Sequence, residues 1–144
     1  MLQWVIKMNE IINIKDYLKE NFDKETEIIE IKNKNIPIYL KQKYSMYQTM
    51  ICDKDCLLLV SKDNKILIKQ LLKHIEQFNA LGYEHIVFCF QSINTEQRKR
   101  LLDYKIAYII PYIQIYLPFI YLNINEKYKK EINISTFSPS TQLI

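Results

Sequence analysis

The sequence predicts an α+β or α/β domain in which helices flank a mixed β-sheet. Short apolar runs of strand length alternate with amphipathic helical segments, in the order α-β-β-β-α-β-α-β-β. Hydrophobic residues make up 49% of the chain against 25% charged residues, so the chain can bury a core. The 144 residues suffice for one core. We expect it in residues 1–122, followed by a polar linker and the start of a truncated helix in residues 123–144.

The first half of the chain predicts one helix and then strands. Residues 9–20 repeat apolar side chains at helical spacing. Residues 28–32 and 36–41 are rich in β-forming residues, and the proline early in the second segment suits a strand start. The runs at 44–52 and 56–61 are separated by a short charged segment, which predicts a β-hairpin.

The middle of the chain predicts a helix and a central strand. Residues 65–78 carry one apolar stripe at helical spacing, and Asn64 is placed to cap this helix. Gly82 suits the position just after the helix, where a left-handed backbone is common. Residues 85–90 are continuously apolar, which is typical of a strand buried on both faces.

A second short helix and a hairpin complete the predicted domain. Thr95 is expected to cap a basic helix that ends near Tyr104. The segments 106–110 and 113–117 predict two strands around the Pro111-Tyr112 turn.

Composition excludes several classes of function. Gly82 is the only glycine, so neither a phosphate-binding P-loop nor a glycine-rich dinucleotide site can be built, and no cofactor is expected. The excess of Ile, Lys, Asn and Tyr is typical of an AT-rich bacterial or phage genome. Three cysteines indicate a reducing cytoplasm. No apolar run reaches the roughly 20 residues of a membrane span.

The positive charge is concentrated in the middle of the chain. Residues 32–75 hold nine lysines and three acidic residues, whereas residues 1–31 hold four lysines and seven acidic residues. This basic segment could contact nucleic acid or an acidic protein, or could be a solvated surface. The candidate nucleic-acid contacts are Lys41, Lys43, Lys62, Lys65 and Lys69.

Glu30-Ile31-Lys32 has the E-x-K spacing of many metal-dependent nucleases, and the predicted αβββαβ order resembles their core. In that core the triplet lies on the third strand, before the crossover helix. Here that position reads Val60-Ser61-Lys62, where only the lysine matches. We therefore expect at most a degenerate, catalytically inactive relative of that core.

The cysteines and histidines could in principle form a zinc site. Cys52 and Cys56 are four residues apart, and His74 and His85 could complete the set. However, these residues fall mainly in apolar strand or helix patterns, so we interpret them as core residues and expect no metal and no catalytic residues.

The densest basic cluster is Arg98-Lys99-Arg100, on the second predicted helix. Together with Tyr112 and Tyr116 of the following hairpin, it forms the candidate partner-binding surface, since arginine and tyrosine are frequent anchors in protein interfaces. The alternative is a solvated helix and ordinary strand tyrosines. We expect Tyr112, at the hairpin tip, to be exposed.

From Gln97 to Pro118 the sequence resembles the N-terminal region of bacterial MarR-like winged-helix transcriptional regulators. The matching elements are Arg98-Lys99-Arg100-Leu101, Ile109-Ile110-Pro111 and Gln114-Ile115-Tyr116-Leu117-Pro118. The resemblance extends more weakly to Pro37–Leu40 with Tyr44, to the CLLLVSK strand and to residues 138–142, where the winged helix would begin. Tyr112 replaces an expected glycine in the turn. The resemblance implies a sensing, dimerising or partner-binding domain, without the DNA-reading winged helix itself.

The leading hypothesis is therefore a non-catalytic regulatory interaction domain that binds a protein partner or itself. One alternative is a stand-alone phage or mobile-element inhibitor of a host nuclease defence such as CRISPR. Another is a nucleic-acid-binding module that uses the basic middle of the chain together with Arg98–Arg100.

Overall fold

A computed structural model describes the backbone of residues 2–22, 26–63, 65–120 and 122–125, and the side chains from residue 10 to residue 120 within those ranges. The linker and helix start were predicted for residues 123–144, and the part of them after residue 125 lies outside the described residues. The elements in chain order are α1 (Leu2–Phe22), β1 (Ile29–Glu30), α2 (Ile38–Lys43), β2 (Tyr44–Ile51), β3 (Lys54–Ser61), α3 (Ile68–Ala80), β4 (His85–Cys89), α4 (Thr95–Asp103), β5 (Tyr108–Ile110), β6 (Gln114–Leu117), a 3-10 turn (Pro118–Ile120) and β7 (Leu122–Asn125).

The seven strands form one mixed sheet in which spatial order follows chain order. Strands β3, β4 and β5 are parallel, and the other neighbouring pairs are antiparallel. The predicted fold class is confirmed. Helix α3 connects the parallel strands β3 and β4, and helix α4 connects β4 and β5. Both connections run in the same direction along the sheet, so both helices lie on one face of it. Helix α1 covers the opposite face, which makes three layers.

The two faces of the sheet bury separate apolar clusters. On the face of α2, α3 and α4, Leu59 and Phe88 pack with Leu71, Phe78 and Leu101. On the face of α1, the buried set includes Ile14, Tyr17, Leu18, Leu58, Val87 and Ile109. Successive strand residues alternate between the clusters because the side-chain period of a strand is two. Each fully buried Leu or Phe contributes about 2–3 kcal/mol.

Residues 36–41 were predicted to be a strand, and this prediction is wrong. Pro37 has φ −55° and precedes α2, and its carbonyl accepts hydrogen bonds from Leu40 N at 3.1 Å and Lys41 N at 3.3 Å. Leu40 is fully buried. Burial of Leu40 outweighs the β propensity of this segment, because a single helical turn places the Leu40 side chain in the core.

Helix α3 begins three residues later than predicted, at Ile68, with Leu67 before it and no side-chain cap. Upstream, Asp63 Oδ1 accepts a hydrogen bond from Lys65 N at 3.0 Å, which keeps Lys65 in a turn. Asn64, the predicted cap, lies outside the described residues. The helix ends at Ala80, two residues after the predicted end, and Gly82 follows it with φ +101° as predicted, while Tyr83 N donates to Phe78 O at 3.1 Å.

Helix α4 is capped by Asn94, and Thr95 is its first helical residue, not the predicted cap. Gln97 N donates to Asn94 Oδ1 at 2.7 Å, while Asn94 N donates to Gln97 Oε1 at 3.0 Å. This reciprocal pair is a capping box, with glutamine three residues after the cap. The helix ends at Asp103, next to Tyr104, as predicted.

Both predicted hairpins form. Cys52 and Asp53, at φ +50° and +65°, make a two-residue turn between β2 and β3, one residue earlier than the predicted connection. Between β5 and β6, Ile113 N donates to Ile110 O at 3.0 Å across a turn in which Tyr112 has φ +64°. Strand β7 then pairs with β6, so the predicted domain boundary at residue 122 falls inside the last strand.

Within the described ranges, none of the helices combines the length and the apolarity that crossing a bilayer requires.

Candidate functional site

The carboxyl ends of the parallel strands β3, β4 and β5 meet at one edge of the sheet, which we call the carboxyl edge. Strand β1 also ends there and β2 begins there, because each is antiparallel to its neighbour. The carboxyl ends of parallel strands are a common ligand-binding edge in α/β proteins, although the order of the strands in this sheet does not reverse. Two cavities open at this edge, one near β1 and α2 and one near α1.

The cavity near β1 and α2 is a basic cleft of about 340 Å³, which we call the lysine cleft. Its charged lining is four lysines, all exposed, and one glutamate: Lys32, Lys34, Lys41, Lys62 and Glu30. Tyr44 and Met46, both buried, and Ser45 also line it. The excess of ammonium groups over carboxylates makes this cleft attractive to anions.

Hydrogen bonds bring these lysines together from three separate segments. Ile31 N donates to Met46 O at 3.0 Å, which holds the end of β1 beside β2 and places Lys32 at the cleft. Asn33 Oδ1 accepts from Asn35 N at 2.9 Å and so shapes the turn that carries Lys34.

Lys62 follows β3 and lies against α2. Its backbone N donates to Lys43 O at 3.2 Å, and its ammonium Nζ donates to Lys41 O at 3.0 Å. The second hydrogen bond orients one charge of the cleft and uses one of its three donors, so two donors remain for a ligand.

The predicted nucleic-acid contacts are only partly brought together. Lys41 and Lys62 line the cleft. The Lys43 ammonium instead hydrogen-bonds to Gln70 Oε1, and Lys65 and Lys69 are exposed near the start of α3 but do not line the cleft.

Lys32 and Lys34, which do line the cleft, were missing from the predicted set. The signal that could have found them is the charge pattern, since both belong to the basic segment 32–75.

The predicted partner surface is divided between the two faces of the sheet. Tyr116 lies on the α4 face, with its ring 5.7 Å from that of buried Tyr108. Tyr112 leans toward the other face, where its ring centroid is 5.7 Å from that of Tyr17 in α1. Tyr112 is 48% exposed, as predicted.

The basic cluster of α4 is not uniform. Arg98 is half-buried, and its Nε is buried with no hydrogen-bond partner among the described residues, whereas Lys99 and Arg100 are exposed. Burial raises the pKa of Tyr108, and the positive charge of Arg98 opposes this increase, which places Arg98 near the tyrosine. Arg98 and Tyr116 can therefore share a surface, and Tyr112 is separate.

The nuclease-like triplet lies on the edge of the sheet. Glu30 and Lys32 are exposed at the end of β1. At the end of β3, Val60 is buried and pairs with Ser45 of β2. Neither residue of this pair has a carboxylate that could bind a metal ion. Across the described parts of the chain, no group of three or more His, Cys, Asp or Glu side chains is arranged to hold a metal ion.

The cysteines and histidines of the hypothetical zinc site do not form a group of three or more that could hold a metal ion within the described ranges, although Cys56 and His85 are register partners on β3 and β4. Cys56 is buried, and burial raises the pKa of its thiol to about 12, whereas Cys52 is exposed in the β2–β3 turn. His74 Nδ1 lies 2.7 Å from the Tyr44 hydroxyl, and the His85 ring stacks on Phe119 at 4.6 Å. Except for Cys52, these side chains pack within the fold.

No known protein family, curated protein or solved structure shows significant similarity to this chain.

Proposed function

We propose that the chain is a non-catalytic interaction domain of a regulatory protein, and that its lysine cleft binds the phosphate backbone of a nucleic acid. The observation that carries the proposal is the convergence of four exposed lysines from three chain segments at the carboxyl edge. The regulatory role rests on the sequence resemblance of residues 97–118 alone, and the free cysteines suit a reducing cytoplasm.

Lysines of this kind suit phosphate better than a specific protein surface. An exposed ammonium group is a compact, hydrated point charge, and it does not impose the planar two-point geometry by which arginine recognises carboxylates. Binding to phosphates releases condensed counterions from nucleic acid and needs no base contact. We therefore expect binding that depends on salt and varies little with sequence.

Fluorescence anisotropy with a short labelled DNA duplex and a matching single strand tests the proposal, with salt raised from about 50 to about 200 mM. The wild type should bind at low salt and weaken steeply. In Lys32→Ala, Lys41→Ala and Lys62→Ala, affinity should fall. The salt slope should decrease by about one for each lysine that no longer neutralises a phosphate.

The matched control is Lys73→Ala, because Lys73 is exposed on α3 and does not line the cleft. Affinity in this variant should stay near wild type. If neither DNA form binds at low salt, or if Lys73→Ala weakens binding as much as the cleft variants do, the lysine cleft is not a nucleic-acid site.

A protein partner is the second candidate, and the basic cluster of α4 favours it. Arg98 is half-buried near Tyr108, and it is followed by the exposed Lys99 and Arg100. A carboxylate from a partner would form charge-assisted hydrogen bonds with these two exposed side chains. The partner could be a second copy of the chain or, if the chain is a phage inhibitor, a host nuclease.

Arg100→Ala separates the two candidates. It should leave DNA binding by the lysine cleft unchanged, but should weaken a complex formed through α4. Light scattering coupled to size exclusion tests self-association directly: a mass of 17.4 kDa at all concentrations excludes the homodimer.

A further inference from the structure

A second cavity lies at the carboxyl edge on the α1 face, and the lysine cleft does not include it. It measures about 210 Å³ and is bounded by α1 on one side and by the ends of β3, β4 and β5 on the other. Its apolar walls include Ile14 and the buried Cys89. We call it the Glu10 cavity, after the carboxylate found among its described lining residues.

The polar lining of the Glu10 cavity combines one carboxylate with side-chain amides and hydroxyls, which belong to Glu10, Asn13, Gln91, Ser61 and Tyr112. The Glu10 carboxylate accepts a hydrogen bond from Gln91 Nε2. The side-chain amides of Gln91 and Asn13 each supply one neutral acceptor oxygen besides their N–H donors. No lysine or arginine lines the cavity, so among the described lining residues the carboxylate has no basic partner.

Glu10 is a carboxylate that has lost part of its hydration. Burial raises its pKa above the usual value, and the hydrogen bond from Gln91 opposes this increase. A cation in the cavity would compensate the lost hydration, because an opposite charge nearby favours the ionised carboxylate.

Tyr112 forms part of the cavity wall in an unfavourable backbone conformation. Its φ of +64° is in the left-handed region, which bulky residues avoid. Such strain persists where the surroundings enforce it and is concentrated at ligand-binding sites. An aromatic ring beside a cavity lined by a carboxylate also attracts cations through its face.

We propose that the Glu10 cavity binds an alkylammonium or guanidinium group. Glu10 pairs with the charge, the amide oxygens of Asn13 and Gln91 accept its N–H donors, and Ile14 and Cys89 contact its alkyl part. A cavity of about 150 Å³ holds benzene. The Glu10 cavity is somewhat larger, so it accommodates a short alkyl chain with a charged end. This site does not depend on nucleic-acid binding by the lysine cleft.

The charged group could belong to a free amine or to a lysine or arginine side chain of a partner, and the experiment distinguishes these sources. Isothermal titration calorimetry would use agmatine (a free guanidinium amine), a short arginine-containing peptide, and butyramide as the uncharged analogue. Binding of agmatine indicates a small-molecule site. Binding of the peptide alone indicates a side chain from a protein. Both results support the site, and butyramide should not bind.

Glu10→Gln removes the charge with little change in shape and should weaken binding about tenfold or more. Asn13→Leu provides a second test at an exposed helix position, where leucine is well tolerated and removes one acceptor. The matched control is Glu76→Gln, an exposed glutamate of α3 on the other face. Binding should remain unchanged in this control.

The proposal is overturned if neither agmatine nor the peptide binds, or if butyramide binds as tightly as agmatine. It is also overturned if Glu10→Gln and Asn13→Leu both retain wild-type affinity. Thermal unfolding of each variant checks that loss of binding is not loss of fold.

Discussion

The hydroxyl of Tyr44 lies 2.7 Å from Nδ1 of His74, and their rings meet edge to face at 5.4 Å. This pair joins the start of β2 to α3. Both residues are buried, and Tyr44 also lines the lysine cleft. One wall of the lysine cleft is therefore hydrogen-bonded to a histidine of α3.

Stability should decrease in mild acid because of His74. Burial lowers the pKa of His74 below its ordinary 6.5, and the positive charges of Lys43 and Lys73 lower it further. The imidazole of His74 therefore binds a proton more tightly in the unfolded chain than in the folded one. The contribution of neutral His74 to the free energy of unfolding is complete above pH 6.5 and is lost as the pH falls below that value. Urea unfolding from about pH 7.5 to 5.5 should show a loss of at most about 1.4 kcal/mol per pH unit from this residue. If the free energy of unfolding of His74→Asn has the same pH dependence as that of the wild type, other titratable groups cause it.

The capping box at α4 predicts a sharp difference between two neighbouring residues. Asn94→Ala removes the side-chain oxygen that binds Gln97 N, and should lower the free energy of unfolding by about 1 kcal/mol. Thr95→Ala should change it by less than about 0.5 kcal/mol, since Thr95 is not the cap. Denaturant titration of both variants measures this. If the two substitutions have equal effects, or if Thr95→Ala has the larger effect, Asn94 is not the residue that caps α4.

Tyr112 has opposing effects on the β5–β6 turn. Its positive φ favours glycine, while the packing of its ring against Tyr17 is worth about 0.5–1.5 kcal/mol. Tyr112→Ala loses the ring and keeps the strain, whereas Tyr112→Gly loses the ring and relieves the strain. We expect the glycine variant to be more stable than the alanine variant by about 1 kcal/mol. Equal melting temperatures for the two variants would show that the turn does not strain residue 112.

Glu30 is the only carboxylate among the described residues that line the lysine cleft, and it should oppose nucleic-acid binding. Glu30→Gln removes this charge, so DNA affinity at low salt should increase, in the opposite direction to Lys62→Ala. Anisotropy titrations against the same duplex measure both. Glu76→Gln, on α3, removes an equal charge away from the cleft and serves as the control. An equal increase in that variant would mean that net charge alone, and not the cleft, governs affinity.

The strongest local patterns predicted the fold correctly. The apolar run at 85–90 forms the central strand β4, and the helical stripe at 65–78 forms most of α3. Both signals are local, because one buried face repeats every two residues in a strand and about every 3.6 in a helix. The segment 36–41 was misassigned because its β propensity is weak evidence compared with the burial of Leu40, which depends on residues far away in the chain.

The sequence predicted only part of the candidate site. Charge counting predicted a basic segment that includes Lys41 and Lys62, and both line the cleft. Counting also places Lys32 and Lys34 in that segment, but it could not show which of the lysines share a cleft, since the pairing of β1 with β2 brings these residues together. The same limit applies to Tyr112 and Arg98, which are close in sequence but lie toward opposite faces of the sheet.

The sequence by itself determined the layered α/β class, the central apolar strand, the glycine that ends α3 and the excess of lysine in the middle of the chain. Each follows from the chemistry of neighbouring residues. Only the tertiary structure decided which lysines share a cleft, that Glu10 lines a separate cavity, and that Tyr112 adopts a left-handed backbone against Tyr17. These features arise from the packing of distant segments, whose geometry is fixed by strand register and helix position.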